Sequence, residues 1–131
     1  MRAVASHKEL IAYQKAYRLV LEIYQVTKGF PAEELYGLTG QMRRSAVSIP
    51  SNIAEGYMRG TKEYAQFLRV ALGSSAELDT QLSFGRDLGY IGNELFEQLR
   101  NELEEVINLL RSYLKKLTNP NYQNDKSRIS I

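Results

Sequence analysis

The side chains in this sequence that could carry chemistry are mostly cations. Arg43, Arg44, Arg59, Lys62 and Arg69 fall around one end and one side of two successive predicted helices. Guanidinium and ammonium groups so placed contact phosphate, and such contacts add up and weaken with salt. Arg59 and Lys62 lie in and just after a predicted exposed turn, at a helix N-terminus that itself favours anions. The chemistry expected of Arg43, Arg59, Lys62 and Arg69 is therefore weak, mostly sequence-independent binding to an RNA or DNA backbone. The competing reading pairs Arg44 with Glu77 and leaves the other cations as scattered surface charge.

Catalytic chemistry has little to stand on. His7 is the one histidine, and it precedes the first predicted helix, where it should be exposed. Cysteine is absent, so neither thiolate chemistry nor disulfides arise. A di-iron bundle needs Glu-x-x-His pairs on facing helices, and the sequence has none. Zinc lacks its ligands too. "GSSAEL" is no nucleophile elbow, with no histidine to act as base. Glu102, Glu104 and Glu105 read as a solvated face. The expectation is a protein that is not an enzyme, with no catalytic residue, metal or cofactor.

The bulk properties agree. The chain has 131 residues, enough for one domain, and carries 17 basic and 15 acidic side chains for a formal charge of +2. That bias is mild for a nucleic-acid binder. No apolar run approaches the ~20 residues of a membrane span, and the start "MRAVASHKEL" has no apolar core of a secretory signal. A cytoplasmic protein with no membrane partner is expected.

Positioning these groups falls to four predicted helices, since strand-type alternation is absent. The first should start at Ser6, with Glu9 completing a capping box, and end near Lys28 with Gly29 as stop. The second runs from about Leu38 to Gly56, "GYMRGT" forms a turn, and Thr61 caps a third helix that reaches about Gly89. Asn93 caps the fourth, which runs to about Leu117. The fold class is all-α, an up-down-up-down four-helix bundle over residues 1–117, with a polar tail over 118–131.

The stretch "AVSIPSNIAEG", from Ala46 to Gly56, breaks the pattern of an ordinary helix. Pro50 removes a backbone donor, so a kink is expected there, with Ser45 or Ser48 bonding the carbonyl freed near Ala46. At 100° per residue, Leu38, Met42, Ala46, Ile49 and Ile53 form a core stripe. Gln41, Arg44, Ser45, Ser48, Asn52 and Glu55 run along one flank of it. The third helix has a matching flank of Glu63, Ser74, Glu77 and Gln81. In a hairpin turning near Tyr57–Gly60, Arg44 falls opposite Ser74 and Glu77. An interhelical polar seam is expected, with an Arg44–Glu77 ion pair in it.

The fourth helix has an ordinary stripe: Leu95, Leu99, Leu103, Val106, Leu110, Tyr113, Leu114 and Leu117. The first does not. Its apolar residues cover an arc of roughly 220°, about twice what the edge of a monomeric bundle requires. Either the helix is unusually buried or it faces another subunit, through Tyr13, Tyr17, Leu21 and Tyr24. A homo-oligomer is the favoured expectation.

The run "LTGQMRRSAVSIPSNIAEGYMRGTKEYAQFLRVALGSSAELDTQL", Leu38 to Leu82, resembles the bacterial four-helix bundle proteins encoded in intervening sequences of 23S ribosomal RNA genes. That family's pattern is roughly L-T-x-Q-x-R-R-A-x-x-S-I-x-x-N-I-A-E-G, then R-x-[ST]-x-x-E-[FY], then F-L-x-x-A-x-G-S-x-x-E-L-x-T-Q-L. "FPAEELYGL" ahead of it fits F-P-x-x-E-x-x-x-L. Tyr13 departs from a frequent tryptophan, a swap of one apolar aromatic for another. The resemblance implies a left-handed bundle that assembles as a pentamer, with a function poorly defined in the family. A more distant similarity, to the accessory variability determinant of diversity-generating retroelements, implies a basic ring that binds nucleic acid and a reverse transcriptase. The alternative to nucleic-acid binding is a structural adaptor whose ring binds such a protein partner.

Overall fold

The computed structural model describes residues 6–119, and in them the chain forms four α-helices: α1 (Ile11–Thr27), α2 (Leu38–Arg59), α3 (Thr61–Asp87) and α4 (Asn93–Leu117). Single 3₁₀ turns at His7–Glu9 and Ala32–Glu34 precede α1 and α2. No strand occurs among the described residues. Each helix packs on its sequence neighbours, α4 closes on α1, and the diagonal pairs do not approach. With connections this short, that is an up-down-up-down four-helix bundle. The tail expected at 118–131 lies, beyond Asn119, outside the described residues.

The core follows the apolar stripes. Leu19 and Ile23 of α1, Met42, Ile49 and Ile53 of α2, Leu68, Leu78 and Leu82 of α3, and Leu99, Leu103 and Tyr113 of α4 are all buried. In α4 the stripe begins on Phe96, which is 1% exposed, and not on Leu95, which is 36% exposed. The guanidinium of Arg86 stacks over the Phe96 ring at 4.3 Å.

α2 starts at Leu38 and α4 ends at Leu117 as expected, while the other helix ends differ from the sequence expectation, each for a local reason. Ser6 does cap a helix, but the 3₁₀ turn, accepting from the Lys8 amide at 3.1 Å. Leu10 then takes an extended backbone and is fully buried, so α1 starts only at Ile11. At its other end α1 stops at Thr27, whose hydroxyl donates to the Ile23 carbonyl at 2.7 Å. α2 runs on past Gly56 to Arg59, and the whole turn to α3 is Gly60, at φ 101°. Thr61 and Asn93 are first helical residues, with Gly60 and Gly92 as the caps. α3 ends at Asp87 in a Schellman motif: Gly89, at φ 82°, donates to Arg86 O at 3.0 Å and Tyr90 to Gly85 O at 2.8 Å.

α2 and α3 share the most extensive contact in the bundle. Gly56 permits it, since a Cβ there would meet Phe67 Cβ at 2.7 Å. Pro50 is buried within α2, which continues through it. Ser48 does not turn back to the carbonyl freed near Ala46; its hydroxyl bonds across to Ser74 at 2.7 Å. α2 gains an unforeseen N-terminal partner in Glu34, whose Oε1 accepts from the Leu38 amide at 3.1 Å. The other carboxylate oxygen accepts from the Tyr90 hydroxyl at 2.9 Å, which raises the pKa of Tyr90 and ties this connector to the α3–α4 turn.

Candidate functional site

Three surfaces collect the residues that could act outside the core. The first lies between α1 and α2. The buried positions of α1 are Ala12, Ala16, Leu19, Ile23 and Thr27, which use only part of its apolar arc. Tyr17 and Leu21 are 52% and 58% exposed, Tyr24 is exposed beside them, and Tyr13 is half-buried. Tyr13, Tyr17, Val20 and Leu21 face Val47, Pro50, Ser51 and Ala54 of α2 across an apolar cleft of about 350 Å³. The bundle therefore does not bury the excess arc itself. His7, expected to be exposed, is half-buried with its ring edge-on to Tyr13 at 5.0 Å.

The second surface is the groove between α2 and α3. Gln41, Arg44, Ser45 and Ser48 line one side, and Ser74, Glu77 and Gln81 the other. Asn52 joins it from below, donating to Ser48 O at 2.7 Å and Ser48 Oγ at 2.9 Å. The expected Arg44–Glu77 ion pair is absent: no contact within salt-bridge distance joins them among the described residues, and the Arg44 guanidinium lies back over Gly40. Register is not the cause, since it brings Arg44 level with Leu78, next to Glu77; the Arg44 side chain instead turns back along its own helix. With the turn reduced to Gly60 and α2 extended to Arg59, Ser48 stands opposite Ser74, where the expected hairpin set Arg44. That is a displacement of four positions, about one helical turn.

The third surface is the hairpin end and outer face of α3, where phosphate contacts were expected. Arg59 is held by two carboxylates, Glu55 at 3.0 Å and Glu63 at 3.4 Å, with its guanidinium over the Phe67 ring at 5.1 Å. The hydrogen bond to Glu55 and then that to Glu63 raise its already high pKa. Its charge is thus offset locally. Arg43 is half-buried, donating to Thr27 Oγ1 at 2.9 Å and stacking over Tyr24 at 4.6 Å, so it braces α2 against the end of α1. Lys62 and Arg69 are exposed.

A smaller groove between α1 and α4, about 210 Å³, is lined by Lys15, Arg18, Glu22, Glu102 and Glu105. Lys15 and Glu105 pair at 2.7 Å. Partial burial, then a hydrogen bond and repulsion from Glu102, push the Glu22 carboxyl up to about 7. Sequence reading grouped Glu102 with a solvated face. The missing signal was Glu22 opposite it on another helix, which periodicity alone does not reveal.

Among the described residues no group of three or more His, Cys, Asp or Glu side chains could hold a metal, and no helix is long and apolar enough to cross a membrane. No curated protein matches the sequence. A crystal structure of a protein of unknown function from Bacteroides thetaiotaomicron, from the S23 ribosomal protein family, is similar. It has a TM-score of 0.74 and 25% identity, covering 80% of this chain and 96% of that one. The description of the 23S rRNA-intervening sequence proteins matches residues 8–112, and the chain belongs to that family.

Proposed function

We propose that this protein is a non-enzymatic homo-oligomer of the cytoplasm that acts as a nucleic-acid-binding accessory factor. The observation that supports assembly is the exposed apolar face of α1. Tyr17 and Leu21 stand more than half exposed beside a cleft walled by Val47 and Pro50. Apolar and aromatic side chains gathered on one face are what a subunit contact covers. A pentamer is the stoichiometry that the sequence resemblance implies. Repeated around a ring, Lys62 and Arg69 supply the phosphate contacts. Arg59 contributes less, because Glu55 and Glu63 already neutralise it.

Light scattering at micromolar concentration should return an oligomer mass, and Leu21→Glu should lower it toward the monomer. A salt titration of binding to a labelled single-stranded RNA then tests the second half. Log affinity should fall with log salt by about 0.7 per phosphate neutralised, and Lys62→Glu/Arg69→Glu should flatten that slope. A monomer mass for the wild-type chain refutes assembly. RNA binding that ignores both salt and mutation refutes the phosphate reading.

The adaptor reading has one observation in its favour. At the end of the bundle where Tyr90 meets Glu34, Tyr36 is 93% and Leu88 57% exposed, and Leu35 is 48% exposed. Apolar groups there suit a protein partner, the reverse transcriptase of the more distant resemblance being one such class. Absence of RNA binding at low salt would favour it.

A further inference from the structure

The groove between α2 and α3 has a volume of about 370 Å³, within the range of small-molecule sites. Its floor is satisfied: the Ser48 and Ser74 hydroxyls bond to each other, and the Asn52 amide donates to Ser48. Its walls are not. Arg44 and Glu77 line the groove from opposite helices, both exposed, and among the described residues no ion pair or side-chain hydrogen bond engages either one. Deeper in, Gln81 is only 8% exposed, and its Oε1 is buried with no hydrogen-bond partner. A buried acceptor left unmade is costly, so a turn of the Gln81 side chain that brings Oε1 to a donor in the groove is favoured. From Gln81 to Ser74 the groove spans about 10 Å of helix rise. Within that length it offers a free cation, a free anion and an unmet acceptor.

We propose that this groove binds a small zwitterion of the α-amino-acid type. The planar fork of Arg44 suits a carboxylate. The ammonium group supplies three donors, for Glu77 and for Gln81 Oε1. Other ligand classes match less of the groove. A phosphate would bring a second negative charge into the groove that Glu77 lines. A simple amine would leave Arg44 unengaged, and an apolar molecule would leave Gln81 Oε1 unpaired. The proposal does not depend on nucleic-acid binding, which rests on Lys62 and Arg69, and the two can fail separately.

Calorimetric titration of the full chain with each standard L-amino acid tests it, with acetate and ethylammonium as the two half-ligands. At least one amino acid should bind with a dissociation constant below about 1 mM. Arg44→Gln and Glu77→Gln should each weaken that binding about tenfold or more, since each removes a charge-assisted contact. Both residues are exposed, so these variants carry the test even if Gln81→Leu, which should also lose binding, does not fold. The half-ligands alone should give no heat of binding. Failure of every amino acid to bind, or binding unchanged in Arg44→Gln and Glu77→Gln, overturns the proposal. Acetate binding as tightly as the amino acids overturns it as well, leaving a bare anion site.

Discussion

Replacing Glu22 by Gln should make the protein more stable at alkaline pH and leave it unchanged near pH 5. Glu22 sits in the α1–α4 groove with its carboxyl against that of Glu102, and its pKa is pushed from 4.5 to about 7. Burial is the largest cause, followed by the hydrogen bond and the repulsion from Glu102, while Arg18 acts in the opposite direction. The folded chain therefore holds a proton that the unfolded chain releases above its own, ordinary carboxyl pKa. Between those two values the native state binds more protons, so this group's contribution to stability falls as pH rises through the window and levels off above 7. The ceiling on the effect is about 3 kcal/mol at 1.36 kcal/mol per pH unit. The groove is partly open to water, which screens the interaction, so about 1 kcal/mol is expected. Glutamine imitates the protonated acid at every pH and removes the slope. Urea denaturation of both proteins at pH 5, 6, 7 and 8 measures the difference between them. That difference should grow from near zero at pH 5 to about 1 kcal/mol in favour of Glu22→Gln at pH 8. A difference that does not change with pH, or that favours the wild type at pH 8, would refute the reasoning.

Two further outcomes follow from the α2–α3 hairpin. Gly56→Ala should destabilise by about 1–2 kcal/mol despite better helix propensity, because the new Cβ meets Phe67 Cβ at 2.7 Å. Gly73→Ala on α3 has open space at its Cβ and should stabilise by about 0.5–1 kcal/mol, and thermal unfolding of the two variants side by side shows whether the signs differ. Ser48→Ala and Ser74→Ala should each cost about 1 kcal/mol, with a coupling of at least about 0.5 kcal/mol in the double-mutant cycle, since they remove the same 2.7 Å hydrogen bond. Strictly additive effects would mean that the bond contributes nothing.

What the sequence made legible was whatever repeats with the helical period. Met42, Ile49 and Ile53 fall on the α2 stripe and are buried, as are Leu99, Val106 and Leu110 on α4. Phe96 escaped because the α4 stripe was phased on Leu95, while the buried set runs Phe96, Leu99, Leu103, Val106, Leu110, Tyr113 and Leu117. The polar flanks of α2 and α3 were legible as flanks, but their register was not. Register depends on one glycine at positive φ and on the close approach at Gly56, and neither appears in a wheel. The Arg44–Glu77 pairing failed on the direction of the Arg44 side chain, which turns back to Gly40 and which a wheel does not show, whereas Arg59 found Glu55 four residues before it on α2, a spacing open to reading along the helix, and Glu63 across the Gly60 turn. Glu34 could not be placed from the sequence, because its partner Tyr90 lies 56 residues away.

Both surfaces proposed to act depend on the rotational setting of α2. Its core stripe is narrow, and Val47, Pro50, Ser51 and Ala54 wall the cleft against α1 on one side of it. Gln41, Arg44, Ser45 and Ser48 wall the groove against α3 on the other. Apolar burial is non-directional and resists a small rotation of the helix only weakly. Directional contacts must set it instead: Ser48 to Ser74 on the groove side, and Arg43 to Thr27 and Tyr24 on the other. The Arg43 contact fixes α2 against Tyr24, a member of the exposed apolar face of α1. The charge of Arg43 was first read as a phosphate contact, but its position makes it a brace for the surface through which the subunits are proposed to meet. Arg43→Ala should on this account lower the oligomer mass in light scattering, and with fewer subunits per particle the RNA affinity proposed for Lys62 and Arg69 should fall with it; an unchanged mass would refute the brace.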